Sequence, residues 1–269
     1  MGGKVSNNKI GIKSDIFNWE VPIETVPLPS KGKIYSKDSW FHMKETVDIK
    51  SMTANEEDIL ASQAYIKKGV VVDELIKSCV MDRNADPKDL LVGDKNALAM
   101  AIRITGYGSS YDASIVCQHC RHKNQKVFNL TELAIKPLQA EPIEPGLNCF
   151  EFNLPVTKKK VYFKLQTGRD EEILQKTIES KRNILGEMSI GPITSNLESM
   201  IVSIDGIEEA GKIKEFISMM PAYDSRSLRS YMTKIQPGMD MNVTIKCDNC
   251  GEKSEAFLPI NANFFWPAV

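Results

Sequence analysis

No stretch of this sequence stays apolar for more than a few residues, so no segment reads as a bilayer-spanning helix. The opening MGGKVSNN has no apolar core and does not read as a secretory signal. Gly2 and Ser6 fit the M-G-x-x-x-S/T acylation pattern, which is too short to carry weight. A basic excess is also missing: 34 Lys and Arg face 35 Asp and Glu. Phosphate neutralisation supplies most nucleic-acid affinity, so this balance argues against a nucleic-acid partner. Histidine is scarce, with only His42, His119 and His122. There is no P-loop, G-x-G-x-x-G, G-x-S-x-G or H-E-x-x-H. Acidic runs such as Glu56 to Asp58 are accounted for by helix starts, and the reading is of a protein that is not an enzyme. The composition, 42% hydrophobic and 26% charged over 269 residues, is that of a globular chain able to bury a core.

The sequence repeats itself. Residues 46–60, TVDIKSMTANEEDIL, align with residues 160–174, KVYFKLQTGRDEEIL, at an offset of 114. Val47, Ile49, Lys50, Thr53, Glu57, Ile59 and Leu60 match Val161, Phe163, Lys164, Thr167, Glu171, Ile173 and Leu174. Further on the offset is 130: Asp94 and Leu98 match Asp224 and Leu228, and Cys117 and Cys120 match Cys247 and Cys250. The second copy therefore holds 16 extra residues (130 − 114), expected around Gly186 to Gly191.

Each copy reads as a strand, then helices, then a β-hairpin. Alternating Val47 and Ile49, or Val161 and Phe163, predict a short strand. Thr53 or Thr167 follows, with Glu56 or Asp170 three residues later, the spacing of a capping box. Further helices are expected over 72–80 and 94–105, with counterparts over 196–203 and 224–235. The fold class is α+β: a duplicated strand–helices–hairpin unit, its two hairpins joined as a zinc-ribbon-like pair of knuckles about a pseudo-twofold axis. The boundaries are an extended N-terminal arm over 1–45, a first repeat over 46–136, a connector over 137–159 and a second repeat over 160–269.

The six cysteines carry the chemistry. Without a secretory signal, cysteine pairs read as metal ligands more than as disulfides. Cys117-x-x-Cys120 and Cys247-x-x-Cys250 each sit at a hairpin turn, where a tight bend aims two sulfurs at one point. Structural zinc takes four ligands in a tetrahedron, so each knuckle is half a site and the two together complete it. Four thiolates leave no open position for catalysis. Local ligation by His119 or His122 would leave the second pair unexplained, and a redox C-x-x-C belongs at a helix start. Cys79 falls on an apolar helical face and reads as a small buried side chain.

The ordered set Leu28-Pro29-Ser30-Lys31-Gly32, Thr53, Glu56, Glu57, Leu60, Asp94, Gly106-Tyr107-Gly108, Tyr111, Cys117 and Cys120 resembles the baseplate hub subunit and hub-assembly proteins of T-even-like contractile-tailed bacteriophages. The resemblance covers residues 27–130 best and the rest more loosely. It implies a structural or assembly role at the tail baseplate of the virion, with assembly in the bacterial host cytoplasm, oligomeric contacts with other baseplate proteins and no membrane insertion. The zinc assignment rests on the cysteines and not on the resemblance. Pro29, Ser30, Gly32 and Tyr35 in the arm, and Phe264, Phe265 and Trp266 near the other end, are candidates for partner binding. The aromatic segment folding back on the chain's own core is the competing expectation. Two alternatives to a retained baseplate component stand at this stage: a zinc-ribbon nucleic-acid or transcription-associated module, and a transient hub-assembly chaperone.

Overall fold

Short antiparallel ribbons alternate with helices along the chain, and a single hydrophobic cluster from Val26 to Phe265 joins them. The computed structural model describes residues 12–14, 19–185, 191–258, 260 and 262–266. Gly2, Ser6 and residues 186–190, where the extra length of the second copy was expected, lie outside the described residues.

Strands β1 (Ile12–Ser14) and β2 (Trp19–Val21) pair with each other. Strand β3 (Ile23–Pro27) pairs with β4 (Thr46–Lys50), Val26 opposite Val47. Val47 and Ile49 point inward and are fully buried, as their alternation predicts. Helix α1 (Ala54–Ala61) starts at Thr53 with the expected capping box. It is followed by α2 (Gln63–Lys68), α3 (Val71–Cys79) and α4 (Val92–Tyr107). Hairpin β5 (Ser110–Val116) and β6 (Lys123–Asn129) comes next, then β7 (Ile135–Lys136).

The second half opens with β8 (Phe150–Asn153) and β9 (Lys160–Phe163), which pair with Phe152 opposite Val161. Helices α5 (Gly168–Leu185) and α6 (Pro192–Met200) lead into β10 (Ile201–Ile204), which joins the other edge of β9. Then come α7 (Ala210–Met219), α8 (Ala222–Ile235), β11 (Gly238–Met239), and hairpin β12 (Asn242–Lys246) with β13 (Lys253–Phe257). The class is α+β. The helix expected over 196–203 starts earlier, at Pro192, because proline suits the first turn, and it gives way at Ile201 to a strand.

Beyond β3, residues 28–45 are not the extended arm that the sequence predicts. After β3 the chain turns sharply, with positive φ at Lys31 and Gly32. A Cβ on Gly32 would lie 2.3 Å from Lys44 N, so only glycine fits this close approach. The turn is tied to α4 through Asp94, whose carboxylate accepts from Ser30 N–H at 2.9 Å and from the Ser30 and Tyr35 hydroxyls. Tyr35 OH in turn accepts from Leu91 N–H at 2.9 Å. In the second half Asp224 does comparable work, accepting from Val156 N–H at 2.7 Å, Thr157 N–H at 3.0 Å and the Thr157 hydroxyl at 2.8 Å. The residues read as a connector likewise include a paired strand, β8.

The two halves meet closely. Val92 N–H donates to Gln166 O at 3.1 Å and Gly168 N–H to Leu90 O at 2.9 Å. Arg169 bridges Asp86 and Asp89, and Lys88 pairs with Glu172. β7 crosses to pair with β11.

Candidate metal centre

The hairpins β5–β6 and β12–β13 end in the same turn. Cys117 N–H donates to His122 O at 2.9 Å and Arg121 N–H to Cys117 O at 3.0 Å. Cys247 N–H donates to Glu252 O at 2.9 Å and Gly251 N–H to Cys247 O at 3.0 Å. Each turn needs one left-handed residue, and Arg121 at φ 62° and Gly251 at φ 74° supply it. This frame holds both sulfurs of each pair on one side of the turn.

The turns face each other. Cys117 Sγ lies 3.7 Å from Cys250 Sγ, and Cys120 Sγ lies 3.6 Å from Cys247 Sγ. All four sulfurs fall within 4.8 Å of one another. A tetrahedron of sulfurs about 2.3 Å from a zinc has edges of about 3.8 Å, so the cluster has the dimensions of a four-thiolate zinc site. Cys117 and Cys247 are buried while Cys120 and Cys250 are exposed, one of each from each hairpin. All six cysteines are free thiols. His119 and His122 flank the first turn but are not among the grouped ligand atoms.

Polar groups around the sulfurs favour thiolates. Ser254 Oγ donates to Cys117 Sγ at 3.3 Å, and this bond, with the Cys120 backbone N–H, holds the Cys117 thiol well below its ordinary range. Backbone N–H groups, that of Cys250 first, lower Cys247. Cys250 moves the other way: the Glu252 backbone N–H lowers it, but burial and the neighbouring thiols outweigh that and raise it. Four adjacent thiols cannot all ionise without a cation among them, and a divalent metal removes that conflict.

Three side chains that the sequence did not single out, Asn124, Ser254 and Asn249, complete the arrangement. Asp248 N–H donates to Asn124 Oδ1 at 2.8 Å, and Gln118 N–H to Ser254 Oγ at 3.4 Å, so each turn is bonded to the other hairpin's second strand. Asn249 Nδ2 also reaches Cys120 Sγ at 3.6 Å. Asn124 and Ser254 are almost fully buried polar side chains at matched positions (254 − 124 = 130), and that match was the signal available in the sequence. Lys126, ion-paired with Asp248, and Lys246 line the open depression beside the second turn.

The other singled-out residues lie elsewhere. Pro29, Ser30, Gly32 and Tyr35 are buried within the chain's own fold. Phe264 and Phe265 are fully buried, Phe264 packing on Tyr111 with ring centroids 5.0 Å apart. Arg103 holds this segment: its Nε donates to Phe264 O at 3.1 Å, while Nη1 and Nη2 donate to Gly108 O and Ser110 O. Trp266, which is 38% exposed, is the part of the aromatic segment that reaches the surface. Cys79 is buried in α3, and burial pushes its thiol up to about 12, the state of an inert core residue.

No described helix is long and apolar enough to cross a membrane. Comparison with curated proteins finds no match, and comparison with solved structures finds none. The family model described as T4 bacteriophage base plate protein matches residues 21–266, which takes in the buried turn at Ser30, both cysteine hairpins and the aromatic segment. The chain belongs to the T4 bacteriophage base plate protein family.

Proposed function

We propose that this chain is a structural, non-catalytic component of the hub region of a contractile-tail baseplate, built as a duplicated unit whose halves are clamped by one zinc ion on Cys117, Cys120, Cys247 and Cys250. The observation that carries this reading is the reciprocity of the cysteine contacts, 117 with 250 and 120 with 247, between hairpins that share one turn geometry.

The duplication has further support away from the cysteines. Glu56 accepts from Lys50 Nζ at 2.6 Å and from Thr53 N–H at 2.9 Å; Asp170 accepts from Lys164 Nζ at 2.5 Å and from Thr167 N–H at 3.1 Å. Leu28 and Pro29 correspond to Leu154 and Pro155, each pair opening the turn held by Asp94 or Asp224. The units then run from β3 and from β8, earlier than the sequence alone places them. The extra residues divide, since α3 and α6 start 121 apart (192 − 71): 7 precede α6 (121 − 114) and 9 follow it (130 − 121).

A zinc held by four thiolates carries a net double negative charge, and Lys126 and Lys246 beside it supply compensation. Such a site contributes roughly 10 kcal/mol or more to folding, by analogy with zinc peptides. A clamp of that strength suits a protein that acts through contacts with other baseplate proteins. The test is the metal content of the purified chain beside its Cys247→Ser variant. One zinc per chain, lost in the variant together with stability, supports the reading. A well-folded, metal-free wild type overturns it. Mass spectrometry of purified virions separates a retained component from a transient assembly factor.

A further inference from the structure

The two cysteine hairpins share a ladder pattern but not the state of their outer edges. In β5–β6 the hydrogen-bonded pairs are fixed at both ends, where Cys117 N–H donates to His122 O and Leu130 N–H to Ser109 O, each at 2.9 Å. Such pairs alternate along an antiparallel ladder, so the backbone N–H and C=O groups of Lys123, Gln125 and Val127 point away from β5. The same alternation, set by Cys247 with Glu252 and Leu258 with Met241, turns those of Lys253, Glu255 and Phe257 away from β12.

On β13 this edge is occupied at its centre: Gln118, from the other hairpin's turn, donates from Nε2 to Glu255 O at 3.0 Å. The matched contact on β6 would reach Gln125 O from position 248 (255 − 130 = 125; 118 + 130 = 248). Asp248 has no side-chain N–H to give and pairs with Lys126 instead. Among the described residues nothing bonds to the outward groups of Lys123, Gln125 or Val127, and no helix or strand other than β5 runs alongside β6. All three residues are exposed, Val127 by 66%. The open edge also carries charge of one sign. Residues 117–129 hold Arg121, Lys123 and Lys126 and no acid. Lys126 is taken by Asp248, while Arg121 and Lys123 are exposed and have no acidic partner among the described residues.

We propose that the β6 edge from Lys123 to Val127 docks an extended acidic segment of another baseplate protein, which adds to β5–β6 as a third strand. An unpaired edge offers its N–H and C=O groups as a template for such a segment, and side chains along it set the choice of partner. Arg121 and Lys123 favour acidic side chains. A second copy's β6 would set lysines against lysines, and like charges opposed across a ladder are destabilising. The proposal rests on the structural reading above, though not on the metal.

The test supplies variants of the full chain to cells infected with a phage lacking its own copy and counts completed baseplates. Val127→Pro removes an N–H that points away from β5, so it spares the hairpin's own ladder. Lys123→Glu reverses an exposed, unpaired charge. Each keeps the wild-type unfolding temperature and zinc content and lowers baseplate yield about ten-fold or more. Lys253→Glu, at the matched place on the occupied edge (253 − 130 = 123), leaves the yield unchanged. Full yield from zinc-loaded Lys123→Glu overturns this inference alone, even where Val127→Pro fails to fold. Loss with Lys123→Glu but not with a folded Val127→Pro also overturns it, since the cations then serve a partner that adds no strand. So does a concentration-dependent wild-type dimer that Val127→Pro dissolves, which assigns the edge to a second copy. Metal-free wild type whose baseplate yield still depends on Lys123 sinks the zinc reading alone.

Discussion

The Asp248 backbone N–H donates to Asn124 Oδ1 at 2.8 Å, joining the turn of one cysteine hairpin to the second strand of the other. Asn124 also donates to Ile115 O and His122 O, so it is nearly saturated and almost fully buried. Supporting residues of this kind typically govern metal affinity by 10- to 100-fold. Asn124→Ala is therefore expected to weaken metal retention by about ten-fold or more, measured by competition with a chelator, while all four thiols remain. Unchanged retention would mean that the sulfurs hold their positions without this bond.

Glu56 gives a prediction about acid. Burial alone would raise its carboxyl, but hydrogen bonds from Lys50, then Ser78 and Thr53, outweigh it and hold the group at about 2 against an ordinary value of 4.5. With the folded value below the unfolded one, its contribution is complete above about pH 4.5 and is lost as pH falls towards 2. Glu56→Ala is expected to cost roughly 2–4 kcal/mol at neutral pH and to flatten the acid limb of the stability curve in that window, measured by urea unfolding.

Asp94 runs the opposite way. Burial raises it, and the Ser30 and Tyr35 hydroxyls only partly offset that. An acid with a raised folded value favours the native state as pH falls through that value and loses this contribution as pH rises. Asp94→Asn removes one charge but also one acceptor for Ser30 and Tyr35. The expected result is a loss of about 1–3 kcal/mol with a shallower pH dependence, read by the same unfolding experiment.

Gly93, in the first turn of α4, lies hard against the Pro237–Gly238 backbone of the other half. A Cβ there would lie 1.8 Å from Pro237 O, a backbone atom that cannot swing aside. Gly93→Ala is expected to destabilise by about 3 kcal/mol, seen as a drop in unfolding temperature. A neutral outcome would show that the halves can separate at this point without cost.

Phe264→Ala tests how firmly the aromatic segment is seated. The ring is fully buried against Tyr111, and truncating such a phenylalanine typically costs 3–5 kcal/mol. Proteolysis within 260–266 of the variant, but not of the wild type, would follow from release of the segment.

The sequence made some of this legible and hid the rest for physical reasons. The strand at Val47 and Ile49 and the helix start at Thr53 rest on local periodicity or short spacing, and the meeting of Cys117 and Cys120 with Cys247 and Cys250 rests on a short motif repeated at an offset of 130. The burial of Ser30 and Tyr35 could not be read that way, because it depends on Asp94, 64 residues beyond Ser30. The Leu28-Pro29 and Leu154-Pro155 correspondence is hidden because the turns behind it differ in length: Glu45 stands 17 positions after Leu28 (45 − 28) and Lys159 stands 5 after Leu154 (159 − 154). The fate of Phe264 and Phe265 was open between core and partner, since aromatic residues near a chain end suit either. Arg103, which holds them, carries no pattern of its own.

The cysteine pairs also impose a timetable. Cys120 and Cys247 are 127 residues apart (247 − 120), so at about 5–20 residues per second the ribosome releases the first pair roughly 6–25 seconds before the second is made. During that interval the first hairpin can offer only half of a four-thiol cluster, and any chain that stops short never completes it. Closure of the cluster is thus a certificate that synthesis has passed Cys250, issued only to chains that carry both cysteine hairpins.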